Sequence, residues 1–346
     1  MQQPFLSRPV RIHSPDECAN CSIMPVNSKP SIFVSNILED IALNDIFPRE
    51  KTSPRGVKSN LISNLHRSDN AHSACLTLVP HEWELIKNNS DYLGYLAQIS
   101  QQQPLIIFNT GDISSRITIK NVREIRTFLH PWEKEFSKII APYPVKPRAF
   151  FQRDWEATPT VSFMGQVPPI TMGSLTSGHI NFIRNPLKSS PYLMRKITIN
   201  KANQLSKRIE TEVVIRSSFS ARYKNPSLSE HSMAFQEQLN RSDYILCPRG
   251  FGNTSMRFYE ALSAGRTPIL IESNGRLPFA SAKPNSKFKI LKVNLFSNWE
   301  KIILDDWEKL REGEKYPQRQ LANKELFERE YSFEPFMREL FRDFLK

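Results

Sequence analysis

The residues best suited to do chemistry lie in one stretch, YILCPRGFGNTSMRFYEALSAGRTPILIESNGRLPF, residues 244–279. Within it, Arg249 and Arg257 flank a loop containing Gly250 and Gly252, the polar run Asn253, Thr254 and Ser255 follows, and Glu260 stands alone further along. Guanidinium groups present several donors in a plane and suit phosphate oxygens. Glycine lets a backbone approach a ligand closely. A carboxylate accepts hydrogen bonds from the neighbouring hydroxyls of a ribose. Together these groups fit a ligand with a diphosphate at one end and a vicinal diol near it.

The elements that must position them can be read from the same stretch. Tyr244 to Cys247 is an apolar strand framed by Asp243 and Pro248. Asn253, Thr254 and Ser255 are good N-cap types for a following helix, Gly265 suits its end, and TPILIE (267–272) returns as a strand. The N-terminus of such a helix, at the C-terminal edge of a strand, favours a bound anion. Glu260 lies five or six residues into the helix, roughly 8 Å from its start at about 1.5 Å per residue. Arg257 and Glu260 are three apart and share a helix face. An exposed ion pair at that spacing, worth a few tenths of a kcal/mol, would look the same in sequence.

The chain has 346 residues, enough for two domains, and its composition is that of a soluble globular protein. A formal charge of +12 points to anionic partners, but the basic residues are scattered and single out none of them. Nucleic acid is not expected as a partner, because no recognised motif or aromatic-interleaved basic strip is present. Cys18 and Cys21 form a CANC spacing with no second pair, so they read as unrelated thiols. Cys75 and Cys247 sit in apolar runs and read as small core residues. No stretch approaches the ~20 apolar residues of a membrane helix, and the first residues lack a secretory pattern. The expected location is the cytoplasm, with peripheral contact at the inner membrane face as an option.

Elsewhere the pattern alternates between strand and helix. Residues 1–30 read as an irregular lead-in and SIFVSN (31–36) as a strand. ACLTLVP (74–80) reads as a buried strand, residues 81–100 as one helix, and PLIIFNTGD (104–112) as a strand releasing Asn109, Thr110 and Asp112 at its C-terminal end. Residues 129–150, with Pro142, Pro144 and Pro147, read as a hinge. TVSFMGQV (160–167) opens a second alternating half: a basic helix over 186–210, a strand at 211–217, a helix to residue 242, then the stretch above. The final aromatic residues recur at core spacing. Two α/β halves joined by a proline-rich segment follow.

In order and spacing, LCPRG (246–250), S-x-RF-x-EAL (255–262), Gly265 with Pro268–Ile271, and LPF (277–279) resemble the signature of exostosin-family glycosyltransferases. VSFMGQ (161–166) resembles a strand that opens the nucleotide domain of that family, whereas the N-terminal half is similar in layout alone. The resemblance implies an α/β fold of the GT-B type, with two Rossmann-like domains facing across a cleft. Residues 31–150 would be the acceptor domain, 151–312 the nucleotide-sugar domain, and 313–346 helices packing across both. It implies transfer from a nucleotide sugar, a UDP-sugar, to a glycan or polysaccharide acceptor with inversion, and no further cofactor. Glu260 would be the ribose-binding acid, with Arg257, Arg249 and Gly250 at the diphosphate and Asn253, Thr254 and Ser255 at the helix start. Leu277, Pro278 and Phe279 would pack near the donor. The sequence departs from animal exostosins in its single transferase unit and absent anchor, and is closer to compact bacterial members.

Such transfer needs the departing diphosphate stabilised and the acceptor hydroxyl relieved of a proton. No D-x-D triplet is present, and Asp305–Asp306 fall in a helical stretch, so no metal is expected. Asp112 is the first expectation for the base, then His81 with Glu82, although NTGD is also a good turn and His81 can cap a helix. The alternative function is a non-catalytic nucleotide-binding partner in a glycan-assembly complex.

Overall fold

The computed structural model describes residues 10–12, 32–33, 76–102, 104–110, 115–129, 138–143, 145–167, 190–216, 227–250, 252–272, 277–278, 288–332, 335–336 and 340. The chain divides into two compact units, Met1–Phe128 with Trp132–Pro144 and Phe333–Lys346, and Leu129–Pro131 with Val145–Ser332. Each is α/β around its own sheet, as expected.

The first unit holds strands β1 (Val10–Ile12), β2 (Ile32–Phe33), β3 (Leu76–Glu82), β4 (Leu105–Phe108), β5 (Val122–Arg126) and β6 (Lys138–Ile140), in the order β2-β1-β3-β4-β5-β6. Strands β3 to β6 run parallel, and β1 pairs antiparallel with both β2 and β3. The expected lead-in is therefore not irregular throughout: Val10–Ile12 is a strand too short to show a period. The single helix expected over 81–100 is two, α1 (Trp83–Ile86) and α2 (Ser90–Gln102). Asn88 and Asn89 favour turns over helix interiors and sit at the break. Val79, Trp83, Ile86, Leu96, Ile99, Leu105 and Ile107 form one buried core.

The second unit holds β7 (Thr160–Gln166), β8 (Glu210–Arg216), β9 (Tyr244–Cys247), β10 (Thr267–Ile271) and β11 (Leu291–Val293), all parallel in the order β11-β10-β9-β7-β8. Its helices are α3 (Pro191–Asn203), α4 (Ser227–Arg241), α5 (Met256–Ser263), α6 (Trp299–Glu308) and α7 (Lys315–Leu326), the last widening into a π-type turn over Phe327–Tyr331. Short apolar strands buried on both faces, such as β9, suit a parallel sheet covered by helices. Val161, Phe163, Met194, Tyr244, Leu246, Ile269, Leu291, Trp299, Ile303 and Trp307 share its core.

The N-terminal ends of these strands are locked by a polar network. Asp243, 1% exposed, accepts from the backbone N–H of Thr160 at 2.8 Å, from Arg153 Nε at 3.0 Å and from the Tyr316 hydroxyl. Arg266 donates to the carbonyls of Leu239 and Phe151 and to Gln320 Oε1. That network ties α7 to the sheet and leaves the C-terminal ends of the strands as the other face of the unit. Gly265, at φ +74°, turns the chain from α5 into β10. A Cβ there would meet the Phe150 ring at 2.5 Å and the Gln320 carbonyl at 2.8 Å, so both conformation and space require glycine.

Candidate functional site

In the second unit the chain leaves β7 toward β8 on one side and leaves β9 toward β10 on the other. The connections diverge between β7 and β9, and it is outside the C-terminal ends of such a strand pair that open α/β sheets bind ligands. The expected strand–loop–helix–strand falls there. β9 ends at Cys247, the loop runs through Arg249 and Gly250, and α5 begins at Met256.

The loop is closed on itself by the Gly250 N–H donating to the Thr254 carbonyl at 2.7 Å. That backbone donor is thus turned inward rather than offered to a ligand. A Cβ on Gly250 would meet nothing closer than the Thr254 carbonyl at 3.5 Å and Arg195 Nη2 at 3.6 Å. The protein's own packing does not demand glycine here, and what glycine leaves is room beside a guanidinium. Ser255 is the N-cap of α5, but its hydroxyl makes no capping hydrogen bond, so the first-turn N–H groups are not spent on it. Asn253 is 3% exposed and donates to the Leu129 carbonyl at 3.2 Å, which makes it a loop anchor. Thr254 is half-buried.

Arginines converge on this end of the sheet. Arg195, on α3, donates from Nη1 to the Gln166 carbonyl at 2.8 Å and from Nε to the Arg249 carbonyl at 3.1 Å, tying the ends of β7 and β9 together. Arg249 is 5% exposed. Burial first, and the charge of Arg195 second, bring its pKa down to about 10, leaving it cationic at neutral pH. Arg257 donates from Nε to the Met164 carbonyl at 2.9 Å, and its guanidinium carbon lies 4.0 Å over the Phe235 ring. Arg216 ends β8, in register with Gln166. Its pKa is lowered by burial first and then by the charge of Arg257, which Glu260 opposes, and by that of Arg148.

Glu260 is 4% exposed, with Arg257 Nη1 on Oε2 and Arg148 Nη2 on Oε1, the latter at 2.6 Å. The exposed surface pair that the sequence also allowed is not what forms. Burial pushes the Glu260 carboxyl up, and the charges of Arg257 and Arg148 more than reverse this, so its pKa lies below the ordinary value. Five guanidiniums (Arg148, Arg195, Arg216, Arg249, Arg257) and one carboxylate thus occupy the C-terminal end of β7–β9. A site so charged suits an anion such as a diphosphate. Cys247 is fully buried beneath it, its thiol pushed far up by burial.

Arg148, Arg195 and Arg216 were not singled out from the sequence as site residues, and Arg195 fell within the basic helix expected over 186–210. Arg216 could have been found by its place at the end of a parallel strand; Arg148 and Arg195 carry no local signal. Leu277 is half-buried and Pro278 buried, whereas Phe279 lies outside the described residues. So does Asp112; His81 is the penultimate residue of β3. Asn109, expected to be released at the C-terminal end of its strand, is fully buried and donates to Glu124 Oε1 at 2.6 Å and to the Ser115 carbonyl at 3.0 Å, which makes it a structural group of the first unit. Among the described residues no group of three or more His, Cys, Asp or Glu side chains is placed to hold a metal ion. Cys18, Cys21 and Cys75 lie outside the described residues.

Comparison with known proteins fits this geometry. Residues 194–345 match the family model of the RXYLT1 C-terminal domain, an exostosin-like domain. A probable glucuronosyltransferase of Oryza sativa subsp. japonica is 37% identical over 73 residues, 20% of this chain and 17% of the relative. The chain thus matches about a sixth of that relative's length. Solved structures with partial likeness include TarM (10% identity, 73% of this chain and 57% of that chain, TM-score 0.36) and Anabaena HepE in complex with UDP-glucose (9% identity, 80% and 79%, TM-score 0.33). Likeness of that size is too weak to add to the assignment, which rests on the domain match and on the run from Leu246 to Phe279. Over residues 194–345 the chain is similar to the RXYLT1 C-terminal domain, and that match supports an exostosin-like glycosyltransferase.

Proposed function

We propose that the chain transfers a sugar from a UDP-sugar to a carbohydrate acceptor with inversion at the anomeric carbon. One observation carries the reading: five arginines and the helix α5 N-terminus gather where the connections of β7 and β9 diverge, with Glu260 held ionised at the depth of a ribose. The diphosphate binds against Arg249, Arg195 and the uncapped first turn of α5. Charge that grows on it as the glycosidic bond breaks is met by fixed guanidiniums and the helix dipole, without reorganisation. The ribose hydroxyls donate to the lone pairs of Glu260 left over from its two arginines.

These groups do the work a metal does in D-x-D enzymes, so the transfer is proposed to be metal-independent. The acceptor domain is proposed to be the first unit. The base is proposed to come from it, with Asp112 the first group to test and His81 the second. Glucuronosyl transfer, named for the rice relative, makes UDP-glucuronate the first donor to try. The test is incubation of the purified chain with a panel of UDP-sugars and glycan acceptors, with the anomeric configuration of product read by NMR. An inverted product supports the reading. UDP binding with neither hydrolysis nor transfer of any donor points instead to the non-catalytic partner.

A further inference from the structure

Arg148 lies three residues after Val145, where the chain re-enters the second unit, in a segment that reads from sequence as a hinge. Its Nη2 reaches Glu260 Oε1 at 2.6 Å, its Nη1 donates to Ser232 Oγ at 2.9 Å, and its backbone N–H donates to Ser263 Oγ at 3.0 Å. The Arg148 guanidinium carbon lies 5.0 Å over the Phe235 ring, the same ring that carries Arg257 at 4.0 Å. Glu260 therefore has one arginine on each oxygen, and both arginines rest on one buried aromatic side chain. Two cations are one more than neutralising the carboxylate requires. Stability alone is a poor explanation, because buried ionic triads can often be replaced by apolar groups without loss. What two fixed donors do supply is orientation.

We propose that Arg148 is a positioning residue of the nucleotide site: by holding Oε1 while Arg257 holds Oε2, it fixes Glu260 as a charged acceptor for the vicinal hydroxyls of a ribose. The ribose rests on the function proposed above; the clamp rests on geometry. The charged or titratable groups bearing on Glu260 are Arg257 on α5, Arg148 on the connecting segment, Arg216 on β8 and the buried Cys247 thiol on β9. Burial raises the Glu260 carboxyl and the two arginines lower it, so the loss of Arg148 moves its pKa up.

The sign of the effect follows. In the native chain the folded pKa of Glu260 is depressed, so its contribution to stability is present above the unfolded pKa and lost as pH falls through the folded one. The Arg148→Gln variant gives up part of that contribution. Its deficit in Tm, measured without nucleotide, is widest at pH 7 and narrows toward pH 4. In a Glu260→Gln background the Arg148→Gln deficit is the same at every pH. A deficit independent of pH in both backgrounds would mean that Arg148 only fills space, and would overturn the clamp.

UDP binding is the second readout. The ratio of the Arg148→Gln Kd to the native Kd increases, by about tenfold per pH unit, once the pH falls below the variant's Glu260 pKa and while the native Glu260 is still ionised. Arg148→Lys, which keeps the charge, returns the ratio toward a flat profile. Parallel pH profiles for Arg148→Gln and the native chain would overturn the positioning role. Absence of UDP binding by the native chain would overturn the nucleotide reading, while the ligand-free Tm comparison still decides the clamp.

Discussion

Replacing Glu260 by Gln keeps the shape of the side chain and removes its charge. Two losses are expected, and they can be separated. The first is in folding: Arg148 and Arg257 are left buried without their counter-ion, and breaking one side of such a group costs about 3–5 kcal/mol. That is a large share of the ~5–15 kcal/mol by which a domain is stable, so circular dichroism must first show that the variant is folded. The second loss is in ribose recognition. A hydrogen bond to a charged acceptor contributes about 1.5–3 kcal/mol and a neutral one about 0.5–1.5 kcal/mol. Two hydroxyls on Glu260 therefore give the native chain a preference for UDP over 2′,3′-dideoxy-UDP of about 3 kcal/mol, or about 150-fold. In Glu260→Gln the preference falls to about tenfold or less. Titration calorimetry with both ligands on both proteins yields a ratio of ratios that the folded fraction does not enter. An unchanged preference would refute ribose binding at Glu260, whatever happened to overall affinity.

Four other outcomes are expected. Transfer activity is retained in full in EDTA, and a strict need for a divalent ion would count against arginines as the charge acceptor. Arg195→Ala, by freeing the ends of β7 and β9 from each other, weakens UDP binding at least tenfold and lowers the unfolding free energy by about 1–3 kcal/mol for the two hydrogen bonds lost, as denaturant titration will show. UDP affinity holds from pH 7 to 9 and then falls as the pH approaches the Arg249 pKa of about 10, which burial and the Arg195 charge have lowered from the usual arginine range; a flat profile to pH 11 removes Arg249 from the contact. Gly265→Ala destabilises the chain by about 3 kcal/mol through left-handed backbone strain and collision with Phe150, measured by urea unfolding.

The part of the fold most legible in sequence was the stretch around the site. Strand β9, helix α5 and strand β10 are short, and each is bounded by a residue with one strong preference: Asp243, Pro248, Ser255 or Gly265. Strands β5 and β6 were not legible. VREIR carries Arg123, Glu124 and Arg126, a charge density that argues against a buried strand until Glu124 and Arg126 are seen to pair within it at 3.1 Å. The inward turn of Asn109 was hidden for the same reason, since its partner Glu124 lies fifteen residues on. The core spacing read in the final segment corresponds, at Tyr331, to an edge contact with the Phe258 ring of α5 at 5.3 Å.

For the site, sequence order revealed the residues that share one loop and one helix. Arg257 and Glu260 are close in the chain and pair in space, and Arg249 lies in the loop that leads to their helix. Arg148, Arg195 and Arg216 come from a connecting segment, another helix and another strand, and only the parallel topology brings them to the same end of the sheet. The expected roles of Gly250 and Asn253 changed in detail because local hydrogen bonds claim them: the first turns its N–H to Thr254, the second its amide to Leu129. Neither preference can be read from residue type, since each depends on where the partner carbonyl ends up.

The most direct measurement is a crystal structure of the chain grown with UDP. The pyrophosphate should lie within hydrogen-bond distance, about 3 Å, of Arg249 or Arg195 at the start of α5, with the ribose hydroxyls on Glu260. UDP bound anywhere else, with Glu260 still enclosed by Arg148 and Arg257 and touching no ribose, would contradict the account.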